Sequence, residues 1–256
     1  TAYGAANAFM DAWVHSRAGI DMHAIAVDWS AWREAGMAAA LAAPQRPWSS
    51  GIATEAREHV VDRRYRRLVD GHDWVVSEHR TKRGVSLLPG TGFVELACRA
   101  ASGVLEGTGA IEITDLQLLA PLVLDKDDRA VVSVTFQQDG TFEICSSADA
   151  ESADRGVWKG LHARGRMSRR QSSQGTLDIP SLRTRCARTQ ASPERRVSHA
   201  QMDFGPRWHC ISEIAYGNRE ALVHLELAPE CLADLDEHPL HPALLDMATG
   251  AATGLV

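Results

Sequence analysis

The chain has 256 residues, 45% of them hydrophobic, enough for one large or two small domains with a substantial core. Its 27 basic and 33 acidic residues are mostly interspersed and sum to a formal net charge of -6, so there is no overall basic field of the kind nucleic-acid binding needs. No apolar run approaches the roughly 18 to 20 residues of a membrane span and no signal peptide is visible, so neither nucleic acid nor membrane is expected as a partner.

The first element in chain order is a helix. In "YGAANAFMDAWVHSR", Ala6, Phe9, Met10 and Trp13 recur at helical spacing, and "AIAVDWSAW" follows as a short apolar strand. One helix and one strand cannot bury each other, so residues 1–40 read as the tail of a domain. The chain begins at Thr1 without a methionine, inside this helical pattern, and is read as a piece of a longer polypeptide. Residues 41–52, with "LAAPQRPWSS", have the Pro and Ser content of a linker.

Next, "GHDWVVSEHRT" and "RGVSLL" read as strands around His79. Thr91 to Leu105 reads as a helix with Phe93, Val94, Ala97, Ala101 and Val104 on an apolar face and Thr91 as its N-cap. Beyond Gly109 the pattern turns to β in "AIEITDLQLLAPLVL", "AVVSVTF", "TFEICSS" and "WKGLHARGRMS", separated by "DKDD", "QDG" and "SADAESADRG". One helix followed by antiparallel strands is an α+β pattern. A first unit is placed at 53–168. Residues 169–195, locally basic with "RRQSSQG" and "TQASPERR", form a solvated linker. A second unit at 196–256 has strands near Trp208–Tyr216 and Glu220–Leu227 and a helix from Pro242, with no strands after it.

The five cysteines, Cys98, Cys145, Cys186, Cys210 and Cys231, are scattered and odd in number, which argues for a reducing, cytoplasmic setting rather than a disulfide or zinc framework. His238 and His241 in "HPLH" have the spacing of metal ligands, but no third ligand accompanies them, and no metal is expected. His72 in "GHDW" reads as structural.

"HDWVVSEHRTKRGVSLLPGTGFVELA", "DFGPRW" and "HPLHPALLDMATG", in this order, resemble the motifs of polyketide synthase dehydratase domains: a His, a Gly and a Pro before a long helix, a Gly-Pro segment, and a His-Pro-x-Leu-Leu-Asp helix. The resemblance covers about Asp62 to Val256. It implies a double hot-dog fold, two long helices each wrapped by an antiparallel sheet, the second cut short here. It also implies loss of water from a 3-hydroxyacyl thioester carried on the phosphopantetheine of an acyl carrier protein, with no cofactor of the dehydratase's own.

By this resemblance His79 is the base, kept neutral by burial, and Asp246 the acid. An acid acting near neutral pH needs its carboxyl raised above the ordinary value of about 3.9, which the apolar Leu244, Leu245 and Met247 could do. The Gly84 N–H, helped by the helix N-terminus beyond Pro89 and Gly90, is expected to meet the thioester oxygen. Phe204, Gly205, Pro206 and Trp208 are expected to shape a turn and the tunnel wall. The chain departs from the family pattern at three places. His79 precedes Gly84 by five residues instead of four, Met202 and Phe204 stand where tyrosines are usual, and Gly250 stands where a Gln or His usually orients the acid.

The opening segment is similar to the end of a polyketide synthase ketoreductase, a short-chain reductase. There Tyr3 would protonate the new alkoxide and Asn7 would order the proton relay, four apart on one helix face. The parent ketoreductase would use NADPH, most of whose site is absent from this chain. Neighbouring synthase domains and a homodimeric parent are implied as well. The isolated chain is expected to fold poorly or to be inactive. Two rival readings use the same residues: a double-bond isomerase or cyclase, and a non-catalytic hot-dog domain that serves module architecture.

Overall fold

In the computed structural model the described residues are 58–61, 63–104, 110–170, 177–191 and 201–251. Tyr3, Asn7 and the residues through 57 lie outside them. Strands β1 (Glu58–Val61) and β2 (Arg64–Asp70) form an antiparallel hairpin with Arg63 at φ 60 in its turn. Where a strand is expected, Trp74–Ser77 instead forms a single helical turn, α1. The aspartates explain the difference. The His72 N–H donates to the Asp70 carboxylate, and the Asp73 carbonyl accepts from Val76 and Ser77, so local turn bonds outcompete the β preference of Val75 and Val76.

A short strand β3 (His79–Thr81) precedes helix α2 (Gly90–Val104). The expected strand "RGVSLL" is reduced to two isolated bridges, Arg80 to Ser86 and Leu87 to Val123. Phe93, Leu96, Ala97, Ala100 and Ala101 bury the inner stripe of α2, and Glu95 is buried with them. Thr91 is not the N-cap. It lies inside the helix, and its hydroxyl donates to the Pro242 carbonyl at 3.0 Å.

Strands β4 (Ala110–Leu118), β5 (Arg129–Phe136), β6 (Thr141–Ser147) and β7 (Gly160–Arg170) match the four β runs read in the sequence. Together with the hairpin they build a sheet of order β1-β2-β5-β6-β7-β4, antiparallel throughout. The sheet wraps α2, with Tyr65, Val69, Val132, Val134, Phe142, Ile144 and Met167 in the shared core. Residues Ala130 to Val134 are buried on both faces of β5, because α3 (Ala150–Asp154) covers its outer side.

The expected linker at 169–195 is partly structured. Asp178 caps α4 (Ile179–Arg185) by accepting from the Ser181 N–H, Arg183 and Arg185 occupy its last turn, and β8 (Arg188–Ala191) follows. Two guanidinium donors of Arg185 reach Glu220 at 2.8 and 2.9 Å. Strand β9 (Met202–Phe204) leads into a 3-10 turn at Pro206–Trp208, then β10 (Ile211–Tyr216) and β11 (Ala221–Leu225) form a sheet of order β11-β10-β8. A second 3-10 turn (Pro229–Cys231), α5 (Asp234–Glu237) and α6 (Pro242–Ala251) complete the described chain. Among the described residues no helix is long and apolar enough to cross a membrane.

Three of the contacts between the two units set the site. Helices α2 and α6 pack together; β3 pairs antiparallel with β9, placing His79 opposite Phe204; and Trp74 touches both hydrophobic cores.

Candidate active site

His79 and Asp246 come from different units and meet at this junction, with His79 Nε2 3.9 Å from Asp246 Oδ2. The β3–β9 pairing fixes the backbone of His79, and the Leu87 carbonyl lies 3.0 Å from its Nδ1. A carbonyl only accepts, so Nδ1 carries the hydrogen of the neutral ring and the lone pair lies on Nε2, toward Asp246. The two side chains are 11% and 18% exposed, enclosed but reachable.

Asp246 projects from the first half of α6 between the buried Ala243 and Met247. Its Oδ2 accepts from the Trp208 indole N–H at 2.8 Å. Trp208 is fully buried; its ring lies parallel to Phe204 at 6.1 Å and 5.5 Å from His79, while Phe204 is 5.7 Å from His79. The catalytic candidates therefore share an aromatic wall without a hydroxyl.

The Gly-Pro turn is held by Glu78, next to His79. The Gly205 N–H donates to the Glu78 carbonyl, the Arg207 N–H to its Oε2, and the Arg207 guanidinium to Glu78 and Asp234 together. A Cβ on Gly205 would sit 2.4 Å from the Glu78 side chain, which is why glycine is needed at this close approach. Arg207 also lies over the Trp74 ring at 4.8 Å, and His241 stacks on that ring with centroids 4.8 Å apart. Burial holds the His241 pKa below its ordinary value, with Asp234 acting in the opposite sense. His238 donates to Glu95 at 2.8 Å, so both histidines of "HPLH" pack at the junction.

The structure does not bring Gly84 to the pair as expected. Gly84 is exposed at the tip of the turn 81–84, and its N–H donates to the Thr81 carbonyl at 2.8 Å. The extra residue between His79 and Gly84 is absorbed by this turn, which Gly84 closes at φ +84. Pro89 is buried, and α2 opens at Gly90, one residue before the helix start read in the sequence.

Residues 54–147 match the family model described as polyketide synthase dehydratase domain, and residues 174–256 the one described as polyketide synthase dehydratase N-terminal domain. The chain belongs to the polyketide synthase dehydratase family. Residues 1–34 match the KR domain, so a ketoreductase segment precedes the dehydratase. Polyketide synthase PksN of Bacillus subtilis (strain 168) is 26% identical over 203 residues, which is 76% of this chain and 4% of PksN. Mycoketide-CoA synthase of Mycobacterium tuberculosis is 28% identical over 170 residues, 66% of this chain and 4% of that protein. The chain thus spans only about one twenty-fifth of the length of these relatives.

The dehydratase fold is matched in solved structures. The dehydratase domain from the CurF module of curacin polyketide synthase superposes with a TM-score of 0.61 at 23% identity, covering 78% of this chain and 71% of that one. The GphF dehydratase variant that is isomerase-inactive superposes with a TM-score of 0.59 at 27% identity, covering 78% and 70%. Two CurK dehydratase structures are of inactive mutants, one with His replaced by Phe and one with Asp replaced by Asn, at TM-scores of 0.61 and 0.60. They are 20% and 21% identical to this chain, and each covers 80% of it, with 73% and 74% of the CurK chains covered. The double hot dog expected from the motifs is the fold observed, as two helices each against an antiparallel sheet.

Sequence reasoning missed the Glu78–Arg207–Asp234 cluster, the buried Glu95–His238 pair and the indole donor to Asp246. The last had a signal. With Gly250 in place of an orienting side chain, Asp246 needed a partner from elsewhere, and a buried tryptophan always carries one N–H to place.

Proposed function

We propose that the chain removes water from a 3-hydroxyacyl thioester, with His79 as base and Asp246 as acid. The observation that carries this is the 3.9 Å approach of His79 Nε2 to Asp246 Oδ2 across the unit junction, with the Nε2 lone pair aimed into the gap by the Leu87 carbonyl. Nε2 takes the proton next to the thioester carbonyl. The electron pair forms the new C=C bond as the C–O bond at the 3-position breaks, and Asp246 gives its proton to the departing hydroxyl, which leaves as water. Phe204, partly exposed and backed by the buried Trp208, suits an apolar acyl chain.

The substrate would arrive on the phosphopantetheine arm of an acyl carrier protein. The upstream ketoreductase, acting with NADPH through residues such as Tyr3 and Asn7, would supply the 3-hydroxyl that is then removed. The reading divides the chain at 1–40, 41–52, 53–168, 169–195 and 196–256, with 169–195 a connection that carries α4 and β8 and lends β8 to the second sheet, and it includes a cytoplasmic location and a homodimeric parent synthase. The inactive His and Asp mutants of the CurK dehydratase support the choice of pair. An isomerase reading draws on the GphF relative, and the double-bond position in the product separates the two.

The test is turnover of a 3-hydroxyacyl pantetheine thioester by the complete polypeptide that the gene encodes. His79→Ala is expected to lower the rate by about 100- to 10,000-fold. Unchanged turnover in a folded His79→Ala protein would refute the assignment.

A further inference from the structure

We propose that Trp208 is the positioning residue of the acid: its indole N–H holds Asp246 Oδ2 and thereby leaves Oδ1 to carry the proton given to the departing hydroxyl. This rests on the dehydration reading above and assigns a role that the fold does not by itself demand.

A carboxyl that must donate a proton in one direction needs something to fix its plane. Within α6 the neighbour one turn on is Gly250, which has no side chain, and a Cβ built there would meet nothing within 4 Å. The donor instead comes from the 3-10 turn after β9, where Trp208 Nε1 lies 2.8 Å from Oδ2. An indole offers one donor and no acceptor, and a fully buried one must place that donor well.

The ring itself cannot easily turn away. It lies parallel to Phe204, meets Trp74 edge-on at 5.9 Å, and its own backbone N–H donates to the Gly205 carbonyl at 3.1 Å. Oδ2 is also the oxygen that faces His79.

The consequence follows from carboxyl chemistry. A protonated carboxyl donates through its hydroxyl oxygen and accepts best at its carbonyl oxygen, so an N–H fixed on Oδ2 favours the proton on Oδ1. In the reaction the Oδ1–H bond breaks, the proton joins the 3-hydroxyl oxygen as its bond to carbon breaks, and water leaves. Asp246 remains as a carboxylate, and the same indole N–H then bonds a charged acceptor, a stronger interaction than before.

The experiment compares Trp208→Phe, and the N–H-free isostere benzothienylalanine at position 208, with Asp246→Asn and His79→Ala. The substrate is a 3-hydroxyacyl pantetheine thioester, and thermal melts establish folding. Both changes at position 208 are expected to lower kcat by about 10- to 100-fold with KM little changed, because the lost bond is to a group charged late in the reaction. Adding Gly250→Gln to Trp208→Phe should recover part of kcat, since an amide one helical turn away can reach the same carboxyl.

Wild-type kcat with benzothienylalanine at 208, alongside inactive Asp246→Asn, would overturn the role of Trp208 alone. Active Asp246→Asn and His79→Ala would overturn the dehydration reading and this inference with it. If Trp208→Phe does not fold, the isostere decides.

Discussion

At the scale of single residues, His79 depends on one carbonyl. With the Leu87 oxygen on Nδ1, the neutral ring has one tautomer available, and it is the one a base facing Asp246 requires. Two-bond nitrogen–proton NMR at a pH where the ring is neutral is expected to show a protonated Nδ1 and a bare Nε2; the opposite pattern would remove Nε2 as the base. The motif made His79 and Asp246 legible in the sequence, but their partners were not. A backbone carbonyl eight residues on from His79 and an indole 38 residues upstream of Asp246 leave no local pattern. Gly84 shows the converse. It fits the motif by letter, yet its amide is bound to Thr81 in a turn that the extra residue closes.

Among the elements, the strands of the large sheet were readable because their branched and aromatic residues recur between Asp- and Gly-rich breaks. Two expected strands depart from the reading: at α1, bonds from aspartates outcompete β preference, and the segment around Ser86 makes only two isolated bridges. The basic 169–195 stretch was misread for a related reason: a capped helix and a third strand gain their stability from β10 and Glu220, far along the chain. Gly71, between β2 and α1, donates its N–H to Asp128, and a Cβ there would fall 1.8 Å from the Asp125 carbonyl oxygen. Gly71→Ala is therefore expected to destabilise the fold by about 1–3 kcal/mol in denaturant melts, through overpacking against a rigid backbone atom. On β7, His162 stacks on Phe93 of α2 and meets Ser146 at 2.8 Å. Burial holds its pKa below the ordinary 6.5, against hydrogen bonds to the Ala120 and Pro121 carbonyls that raise it. Above 6.5 neither the folded nor the unfolded ring is protonated; below it the unfolded chain binds the proton first, so stability is lost as the pH falls. The melting temperature should drop on acidification through this range, and His162→Gln should make that drop shallower if it folds.

For the whole molecule, the site exists because two helix-and-sheet units are locked at one angle. The locks are the β3–β9 pairing, the Thr91 hydroxyl on Pro242, the Arg207 guanidinium between Glu78 and Asp234, and the buried Glu95 that accepts from both His238 and Arg99. Apart from Glu95 and Arg99, four apart within α2, none of these contacts is periodic in the sequence, so the layout of each unit was legible while their junction was not. Glu95→Ala would strand a buried imidazole and a guanidinium and is expected to cost about 3–5 kcal/mol in equilibrium unfolding. A loss under about 1 kcal/mol would show that the junction does not depend on this pair. The central claim, that the junction performs dehydration, is tested most directly by mass. The complete gene product is incubated with a 3-hydroxyacyl acyl carrier protein, and the carrier is weighed intact, beside His79→Ala and Asp246→Asn. The account predicts loss of one water in the parent and not in either variant. No loss from a folded parent with either 3-hydroxyl stereoisomer would contradict it and leave this double hot dog an architectural domain.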